Sequence, residues 1–365
     1  MLTQEQKETM IAALRGKSVA KENITEEYKK NLDLAEREEV KVTTSEGPVP
    51  CYIFTAKNRT KNCPVHINVH GGGFVRPHVL RDEIYSAKVA DAIQGIVVDV
   101  DYSLAPEYPY PKAFNETYEV CRWVFSMLEH WDADSKRVSM GGHSAGANLT
   151  AAVCLKANQT KEFQFCLQVL DYGAFDMVTD PADKPEAATN MIPVERGRMF
   201  SLAYTDGNPE TLKDPYCSPL LATDEMLKGL PEALITSAGH DNFRFEDADY
   251  ARRLVLAGVK VTQKCFLNSY HGFIVHCTDE WEEGQQLVID TIKHMDDRYE
   301  ALCGIPVEWR KQSMNVQLDA ELVMELRADC PEEDRLVVGG NDWGYLKVIQ
   351  IKGGHFEGEK LRGRV

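Results

Sequence analysis

A serine stands within Gly142-His143-Ser144-Ala145-Gly146, directly after the strand-like residues RVSM and before the helix-like ANLTAAVCLKA. A tight turn from a strand into a helix presents a serine hydroxyl above the sheet, and its neighbours must be small because the backbone is strained there. The N-terminus of the following helix favours negative charge on the reacting oxygen. The pattern predicts that Ser144 is the nucleophile of an acyl transfer; a glycine-rich packing turn is the alternative.

Three consecutive glycines follow His70 at the end of another strand-like run, PVHINV, and precede Phe74. Acyl transfer creates an oxyanion, which backbone N–H groups reach only where no side chain obstructs them. The candidates for this oxyanion hole are the N–H groups of Gly72, Gly73 and Ala145, and one such donor typically lowers the barrier by about 3 kcal/mol. Phosphate binding is the alternative for a glycine triplet, but neither GKS/GKT nor GxGxxG follows.

A serine hydroxyl near neutral pH needs a base, and the base needs an acid that fixes its tautomer. In a fold where the serine ends a strand in this way, the chain order is Ser, then Asp or Glu, then His. Asp241 follows the strand-like ALITSAG, and His271 follows KCFLNSY. We predict that His271 is the base and that Asp241 orients it.

Three further acids lie close to Asp241, namely Glu246, Asp247 and Asp249. The following ADYARRLVLAG has helical spacing, which puts these acids in the first turns of a helix, where they interact with its dipole. Asp241 is therefore favoured as the catalytic acid.

Two further histidines compete with His271. His276 lies five residues later and is predicted to be structural. His143 adjoins Ser144, but the strand-to-helix turn points adjacent side chains elsewhere, so a packing or hydrogen-bonding role is favoured.

Alternating strand-like and helix-like segments connect these motifs. The strand-like runs are PVHINVH, GIVVDVDY, RVSMGGHS, FCLQVLDYG, EALITSAG and KVTQKCFL. Helical stretches lie near 82–94, 112–129 and 244–257, and another lies near 281–299. This alternation predicts a doubly wound α/β domain with a mainly parallel sheet that helices cover on both faces.

The remaining segments extend this α/β domain, which we assign to residues 37–300. Residues 1–36 have the pattern of two charged amphipathic helices, and residues 39–56 that of a β-hairpin. Residues 173–221 interrupt the alternation with several prolines and one helical piece, which is typical of a lid. Residues 305–365 change to a strand-like pattern and form a separate β segment.

The composition excludes several classes of protein. With a net charge of −16 and a pI near 5.1, the chain lacks the excess of Lys and Arg that nucleic acids and anionic lipids require. The ten cysteines form no CxxC pair, which favours reduced, mostly buried thiols. No segment reaches the ~18 apolar residues of a membrane span, and the first residues lack an export signal. We expect a cytoplasmic protein that uses neither a metal nor an organic cofactor.

Over residues 35–298 these motifs together resemble the hormone-sensitive-lipase-like esterases, a branch of the α/β hydrolases. HGGGF, DYSLAPEYPYPKA, GHSAGAN, DPYCSPLL, LITSAGHD and YHGF occur in the family's order. The resemblance implies that Gly72, Gly73 and Ala145 supply the oxyanion N–H groups. It also implies that the N-terminal helices and the 173–221 insertion form a cap that walls the acyl and alcohol pockets.

Two motifs depart from that family. Its DPLxDE reads DNFRFE from Asp241 to Glu246, which indicates a different course for the loop after the acid. The family's DYRLAPE reads DYSLAPE here. Ser103 replaces the arginine, which removes a positive charge whose expected role is structural.

The C-terminal segment has a resemblance of its own. From Leu318 onward it resembles the opening strands of a family of small β-barrel domains of unknown function, marked by GG-x-FEG-x-x-LRG-x-V. Its alternation predicts strands over Val316–Arg327, Trp343–Lys352 and His355–Val365. Because an unpaired edge strand can pair with a second copy, a homo-oligomer is the partner hypothesis.

The expected reaction is a two-step hydrolysis of a small-molecule ester, with uncharged, short-chain acyl esters as the first expectation. The acidic surface disfavours anionic substrates at long range, although local pocket charge can override it. An amidase, formamidase or lactonase with the same triad stays open, because the motifs define the acyl-enzyme step but not the leaving group. A ligand-binding protein on a hydrolase scaffold is disfavoured, since the triad types and the oxyanion glycines are all present.

Overall fold

The computed structural model describes residues 1–16, 23–293, 334–340 and 345–352. The strands are β1 Ala35–Thr44, β2 Gly47–Ala56, β3 Cys63–Val69, β4 Ile96–Val100, β5 Ala133–His143, β6 Leu167–Asp171, β7 Glu232–Ala238, β8 Val261–Phe266, β9 Asp334–Gly340 and β10 Tyr345–Lys352. The α-helices are α1 Gln4–Leu14, α2 Glu26–Lys29, α3 Leu80–Ile93, α4 Lys112–Met127, α5 Ala145–Thr160, α6 Val194–Tyr204, α7 Asp224–Leu227, α8 Phe243–Leu256, α9 Phe273–His276 and α10 Trp281–Lys293.

The strands form one sheet in the order β1-β2-β4-β3-β5-β6-β7-β8-β10-β9. The six from β4 to β8 in this order run parallel, whereas the pairs β1–β2, β2–β4, β8–β10 and β10–β9 are antiparallel. The predicted α/β fold with a mainly parallel sheet is therefore confirmed. Loops that leave the carboxyl ends of the parallel strands meet at one edge of the sheet, where such folds bind ligands.

The core has two faces because successive side chains of a strand point to opposite sides of the sheet. In β4, Ile96, Val98 and Val100 belong to a hydrophobic cluster that includes side chains of α4, α5 and α8. Val97 belongs to a second cluster, which includes side chains of α3 and α10. Helices therefore cover both faces, as the alternation of segments predicts.

The N-terminal region matches its prediction in part. Thr3 is the N-cap of helix α1, and its side chain forms a capping box with Gln6. The second predicted helix is much shorter: α2 spans four residues and continues as a 3₁₀ helix over Lys30–Leu34. The reason is that Ala35 already pairs with β2, which makes the chain extended before the predicted domain boundary at residue 37.

The predicted lid, residues 173–221 and hereafter the cap insertion, lies between β6 and β7 and contains α6. Helix α1 packs against α6, and Lys7 forms an ion pair with Asp206 at 3.1 Å. Arg15, at the end of α1, binds Glu107 at 2.6 Å and the carbonyl oxygen of Val75 at 2.7 Å. The N-terminal helix thus connects the cap insertion to the loops at the edge of the sheet.

The C-terminal segment is described only as two strands. β10 overlaps the predicted strand Trp343–Lys352 and pairs antiparallel with β8, with Tyr345 opposite Lys264. β9 was not predicted, and it pairs with β10. The predicted strands over 316–327 and 355–365 lie outside the described residues. The resemblance to a small β-barrel family remains a prediction.

Candidate active site

Ser144 occupies the turn between β5 and α5 with φ 56° and ψ −114°, a conformation that residues with side chains rarely adopt. The residues two positions before and after it, Gly142 and Gly146, must be glycines for reasons of space. A Cβ on Gly146 would lie 2.1 Å from the carbonyl oxygen of Val69, and one on Gly142 would lie 2.5 Å from the backbone of Gly146. The GxSxG spacing therefore follows from the packing of this turn against β3.

The structure brings the three predicted catalytic side chains together. Nε2 of His271 lies 2.9 Å from Oγ of Ser144, and Nδ1 of His271 lies 2.5 Å from Oδ2 of Asp241. These residues are 127 and 30 positions apart in the chain, respectively. The arrangement is that of a hydroxyl, a base that can remove its proton, and an acid that fixes the tautomer of the base.

Asp241 lies in the short loop between β7 and α8 and is fully buried. Its Oδ1 accepts a hydrogen bond from the backbone N–H of Phe243 at 3.2 Å, so both oxygens have partners. Asn242 is the N-cap of α8. The sequence DNFRFE, which departs from the family pattern, thus turns directly into a helix while keeping the acid beside His271.

The competing acids lie in α8, as predicted, but two of them bind the cap insertion rather than only facing the helix dipole. Glu246 accepts hydrogen bonds from two backbone N–H groups after β6 and forms a buried ion pair with Lys184. Asp247 accepts a hydrogen bond from the N–H of Gly173 at 2.9 Å. Asp249 is exposed.

The glycine triplet at residues 71–73, hereafter the oxyanion loop, has a backbone conformation that favours glycine. Gly72 and Gly73 have φ values of +117° and +62°, in the region that side chains disfavour. A Cβ on Gly73 would lie 2.4 Å from the ring of Phe200 in the cap insertion. Both glycines and Ala145, the first residue of α5, line the same cavity as Ser144.

A buried polar cluster supports this loop. The ring of His70 stacks on Tyr102 with centroids 4.2 Å apart, and the Tyr102 hydroxyl donates to the carbonyl oxygen of His70. His78 Nε2 lies 2.9 Å from Oδ2 of Asp99. Burial alone would lower the pKa of His78, but the Asp99 carboxylate reverses this and raises it to about 9. This cluster was not predicted, although polar residues within strand-like runs are its signal in the sequence.

The other histidines near the site have different partners. His143 Nδ1 lies 2.9 Å from Oδ2 of Asp171, in β6. His276 is partly buried in the wall of the cavity, and burial, reinforced by nearby positive charge, lowers its pKa to about 3. Within the described part of the chain, His271 is the histidine that hydrogen-bonds to Ser144.

A cavity of about 1330 Å³, its open mouth included, lies above Ser144. Its walls come from the oxyanion loop, the start of α5, the cap insertion, the start of α8 and the segment from His271 through α9. Met191 and Phe200 of the cap insertion line it. Tyr204 instead packs behind it, with its ring stacked 3.7 Å from that of Phe74.

Metal-ion sites and membrane-spanning helices were sought among the described residues. In that part of the chain no group of three or more His, Cys, Asp or Glu side chains is arranged to hold a metal ion. The helices found there are too short or too polar to cross a lipid bilayer.

Residues 66–275 match the model of an α/β-hydrolase-fold family, and the chain belongs to this family. The match includes Ser144, Asp241 and His271. It covers more than half of the chain.

The chain is similar to carboxylesterase NlhH of Mycobacterium tuberculosis, with 29% identity over 232 residues, which are 62% of this chain and 71% of that protein. It is also similar to arylacetamide deacetylase of Oryctolagus cuniculus, with 26% identity over 298 residues, covering 64% of this chain and 75% of that protein. Among solved structures, the esterase of Pyrobaculum calidifontis has a TM-score of 0.68 at 24% identity and covers 81% of this chain and 94% of its own. At this low identity, the similarity to the Pyrobaculum esterase shows a similar fold.

Proposed function

We propose that the chain is a carboxylesterase that hydrolyses small, short-chain acyl esters, with Ser144 as nucleophile, His271 as base and Asp241 as the orienting acid. The observation that carries the proposal is the hydrogen-bonded line from Asp241 through His271 to Ser144, with distances of 2.5 and 2.9 Å. The family and its esterase relatives make the chain an ester hydrolase of the serine class.

The proposed mechanism has two steps. Ser144 attacks the ester carbonyl while Nε2 of His271 takes the hydroxyl proton, and the oxyanion accepts hydrogen bonds from the backbone N–H groups of Gly72, Gly73 and Ala145. The tetrahedral intermediate expels the alcohol, which receives the proton from His271. Water then attacks the acyl-enzyme with the same base and releases the acid.

The decisive test is Ser144→Ala, which removes the hydroxyl but keeps a small side chain in the turn. We expect kcat for 4-nitrophenyl butyrate to fall by about 10⁶-fold, the loss typical of removing such a nucleophile. Ser201→Ala is the matched control, because Ser201 lies in the same cavity on α6 and has no catalytic role in this mechanism. A fluorophosphonate should label wild type and Ser201→Ala but not Ser144→Ala. Near-normal turnover by Ser144→Ala would contradict the proposal.

Amide hydrolysis is a second candidate, which the similarity to arylacetamide deacetylase favours. Both reactions form the same acyl-enzyme, so they differ only in the group that leaves. Rates on 4-nitrophenyl acetate and 4-nitroacetanilide separate them. The esterase proposal expects the ester to be strongly preferred, and comparable kcat/KM values for the two would favour the amidase.

A further inference from the structure

A short stretch of chain without helix or strand connects the oxyanion loop to α3. It consists of residues 74–79, hereafter the connecting segment. The carbonyl oxygen of Gly72 accepts hydrogen bonds from the N–H groups of Val75 at 3.2 Å and Arg76 at 3.0 Å. The oxyanion loop and the connecting segment therefore share one turn, so the position of the segment determines that of the glycines.

The side chain of His78 anchors the connecting segment to the sheet. Its Nε2 lies 2.9 Å from Oδ2 of Asp99, and the two side chains are only 4% and 0% exposed. Burial would lower the pKa of His78, but the carboxylate of Asp99, together with those of Asp82 and Asp101, raises it to about 9. His78 is therefore a cation near pH 7, and its contact with Asp99 is a buried ion pair.

Asp99 connects His78 to both central strands and to the helix that follows the connecting segment. It lies in β4, opposite Asn68 of β3. Its Oδ1 accepts a hydrogen bond from Nδ2 of Asn68 at 2.9 Å, and its Oδ2 accepts one from Oγ of Ser86 in α3 at 3.1 Å. Burial would raise the pKa of Asp99, but His78 and Asn68 hold it below its usual range. The carboxylate thus joins the connecting segment to β3, β4 and α3.

Aromatic packing fixes the orientation of the His78 ring. The ring stacks on Tyr52 of β2 with centroids 4.7 Å apart, and it meets the ring of His70 edge-on at 5.6 Å. Nδ1 of His70 in turn lies 2.8 Å from the carbonyl oxygen of Gly71, the first residue of the oxyanion loop. His78 therefore contacts the residue before the oxyanion loop and holds the segment after it.

Neither His78 nor Asp99 is among the described residues that line the cavity above Ser144, so their effect on the reaction must pass through the oxyanion loop. Oxyanion donors act because they are in place before charge develops, and a displacement of about 1 Å can cost about 10²-fold in rate. We propose that His78 and Asp99 are positioning residues, whose ion pair holds the N–H groups of Gly72 and Gly73 where the oxyanion forms. The catalytic part of this proposal rests on the proposed esterase mechanism.

The test compares two substitutions of His78 in the full chain. His78→Leu removes both the charge and the hydrogen bond, whereas His78→Gln keeps an N–H donor that can reach Asp99. For 4-nitrophenyl butyrate we expect His78→Leu to lower kcat by about 10²-fold with KM within about twofold of wild type, because the oxyanion is absent from the bound substrate. His78→Gln should lower kcat by only about tenfold, since a neutral hydrogen bond has roughly half the strength of a charge-assisted one.

Lys260→Met is the matched control. It breaks a partly buried ion pair with Glu232, whose atoms are 2.7 Å apart, at the amino end of β7 and so at the opposite edge of the sheet from the oxyanion loop. It should lower stability and leave kcat unchanged. The proposal is overturned if folded His78→Leu keeps the kcat of wild type, if the loss lies in KM instead, or if the control loses as much. Should His78→Leu not fold, His78→Gln decides, and a kcat equal to that of wild type overturns the proposal.

Hydrogen exchange separates the anchoring from the chemistry, because it needs no turnover. The N–H groups of Val75 and Arg76 are protected by their hydrogen bonds to Gly72. In the peptide that contains residues 70–80, mass spectrometry should show these amides exchanging at least about tenfold faster in His78→Leu than in wild type, with no change in Lys260→Met. His78→Gln should give a smaller increase.

The two readouts distinguish failure of this proposal from failure of the esterase mechanism. Unchanged exchange in the His78 variants overturns the anchoring even where kcat falls. Faster exchange with an unchanged kcat overturns the catalytic role of the ion pair. If a fluorophosphonate fails to label Ser144 in wild type, the esterase mechanism is rejected, and the exchange rates still decide whether His78 and Asp99 hold the oxyanion loop.

Discussion

Two buried carboxyl groups at the start of α8, those of Asp241 and Asp247, lie close together in different environments. Asp241 has hydrogen-bond donors at both oxygens, including His271. Asp247 accepts from the backbone N–H of Gly173, and burial, followed by the charge of Asp241, raises its pKa far above the usual range. Of the two carboxyl groups, it is that of Asp241 that hydrogen-bonds to His271.

This difference predicts unequal effects of the same substitution. Asp241→Asn replaces an acceptor by an amide that favours the wrong tautomer of His271, so we expect kcat to fall by about 10⁴-fold. Asp247→Asn keeps a group of similar shape whose oxygen can still accept from the N–H of Gly173, and His271 bonds to Asp241 instead, so kcat should change only slightly. Steady-state kinetics on 4-nitrophenyl butyrate, with circular dichroism to verify folding, measures both. Equal losses of kcat in the two variants would contradict the assignment of Asp241 as the orienting acid.

A second prediction concerns Gly73. Its φ is positive, and a Cβ at this position would contact the ring of Phe200. Gly73→Ala would force the loop or the cap insertion to move, which displaces an oxyanion donor. We expect kcat to fall by about 10²-fold, as when one such donor is lost. Gly258→Ala is the control: its φ is +84°, but a Cβ there would have no atom within 4 Å. It should reduce stability through strain and leave kcat unchanged.

The cap insertion is attached to the α/β domain by a buried ion pair. The Lys184 and Glu246 side chains are only 9% and 8% exposed. Glu246 also accepts hydrogen bonds from the backbone N–H groups of Phe175 and Asp176, where the cap insertion begins. Helix α8 thus fixes the first part of the cap insertion, while the loop before α8 holds Asp241, the proposed catalytic acid.

Lys184→Met should therefore destabilise the protein more than an ordinary surface substitution does. It leaves the Glu246 carboxyl buried without its cation, which typically costs about 3–5 kcal/mol. Lys213→Met removes the exposed pair with Glu210 and should cost less than ~1 kcal/mol. Urea unfolding measures both free energies. If the two variants had equal midpoints, the buried pair would not stabilise this attachment.

The sequence predicted those parts of the molecule that depend on local rules. Strand and helix periodicity identified the α/β domain, and motif order at strand ends selected Ser144, Asp241 and His271, which lie within hydrogen-bonding distance. The Lys184–Glu246 pair could not be predicted, since it joins residues 62 positions apart through the fold of the cap insertion. The length of α2 was overestimated because strand pairing from Ala35 overrides helix propensity.

The parallel part of the sheet holds the candidate site, and the two described C-terminal strands extend the sheet beyond β8. The predicted catalytic and oxyanion residues come from loops after β3, β5, β7 and β8. β10 joins the sheet beside β8, and β9 is the last strand in the described order. An edge strand has N–H and C=O groups available for pairing with another chain. Pairing of a second copy along β9 remains a prediction.

Deleting residues 305–365 tests two points: whether two copies associate through β9, and whether the candidate active site works without the C-terminal strands. The deletion removes β9 and β10 but leaves every element that supplies a predicted catalytic residue, so kcat per chain should stay close to that of the full chain. Light scattering after size-exclusion chromatography should give a dimer for the full chain and a monomer for the shortened one. The same number of subunits in both, after correction for mass, would contradict pairing through β9. A large loss of kcat with retained folding would instead mean that the C-terminal strands support the loops beyond β8, including the segment that carries His271.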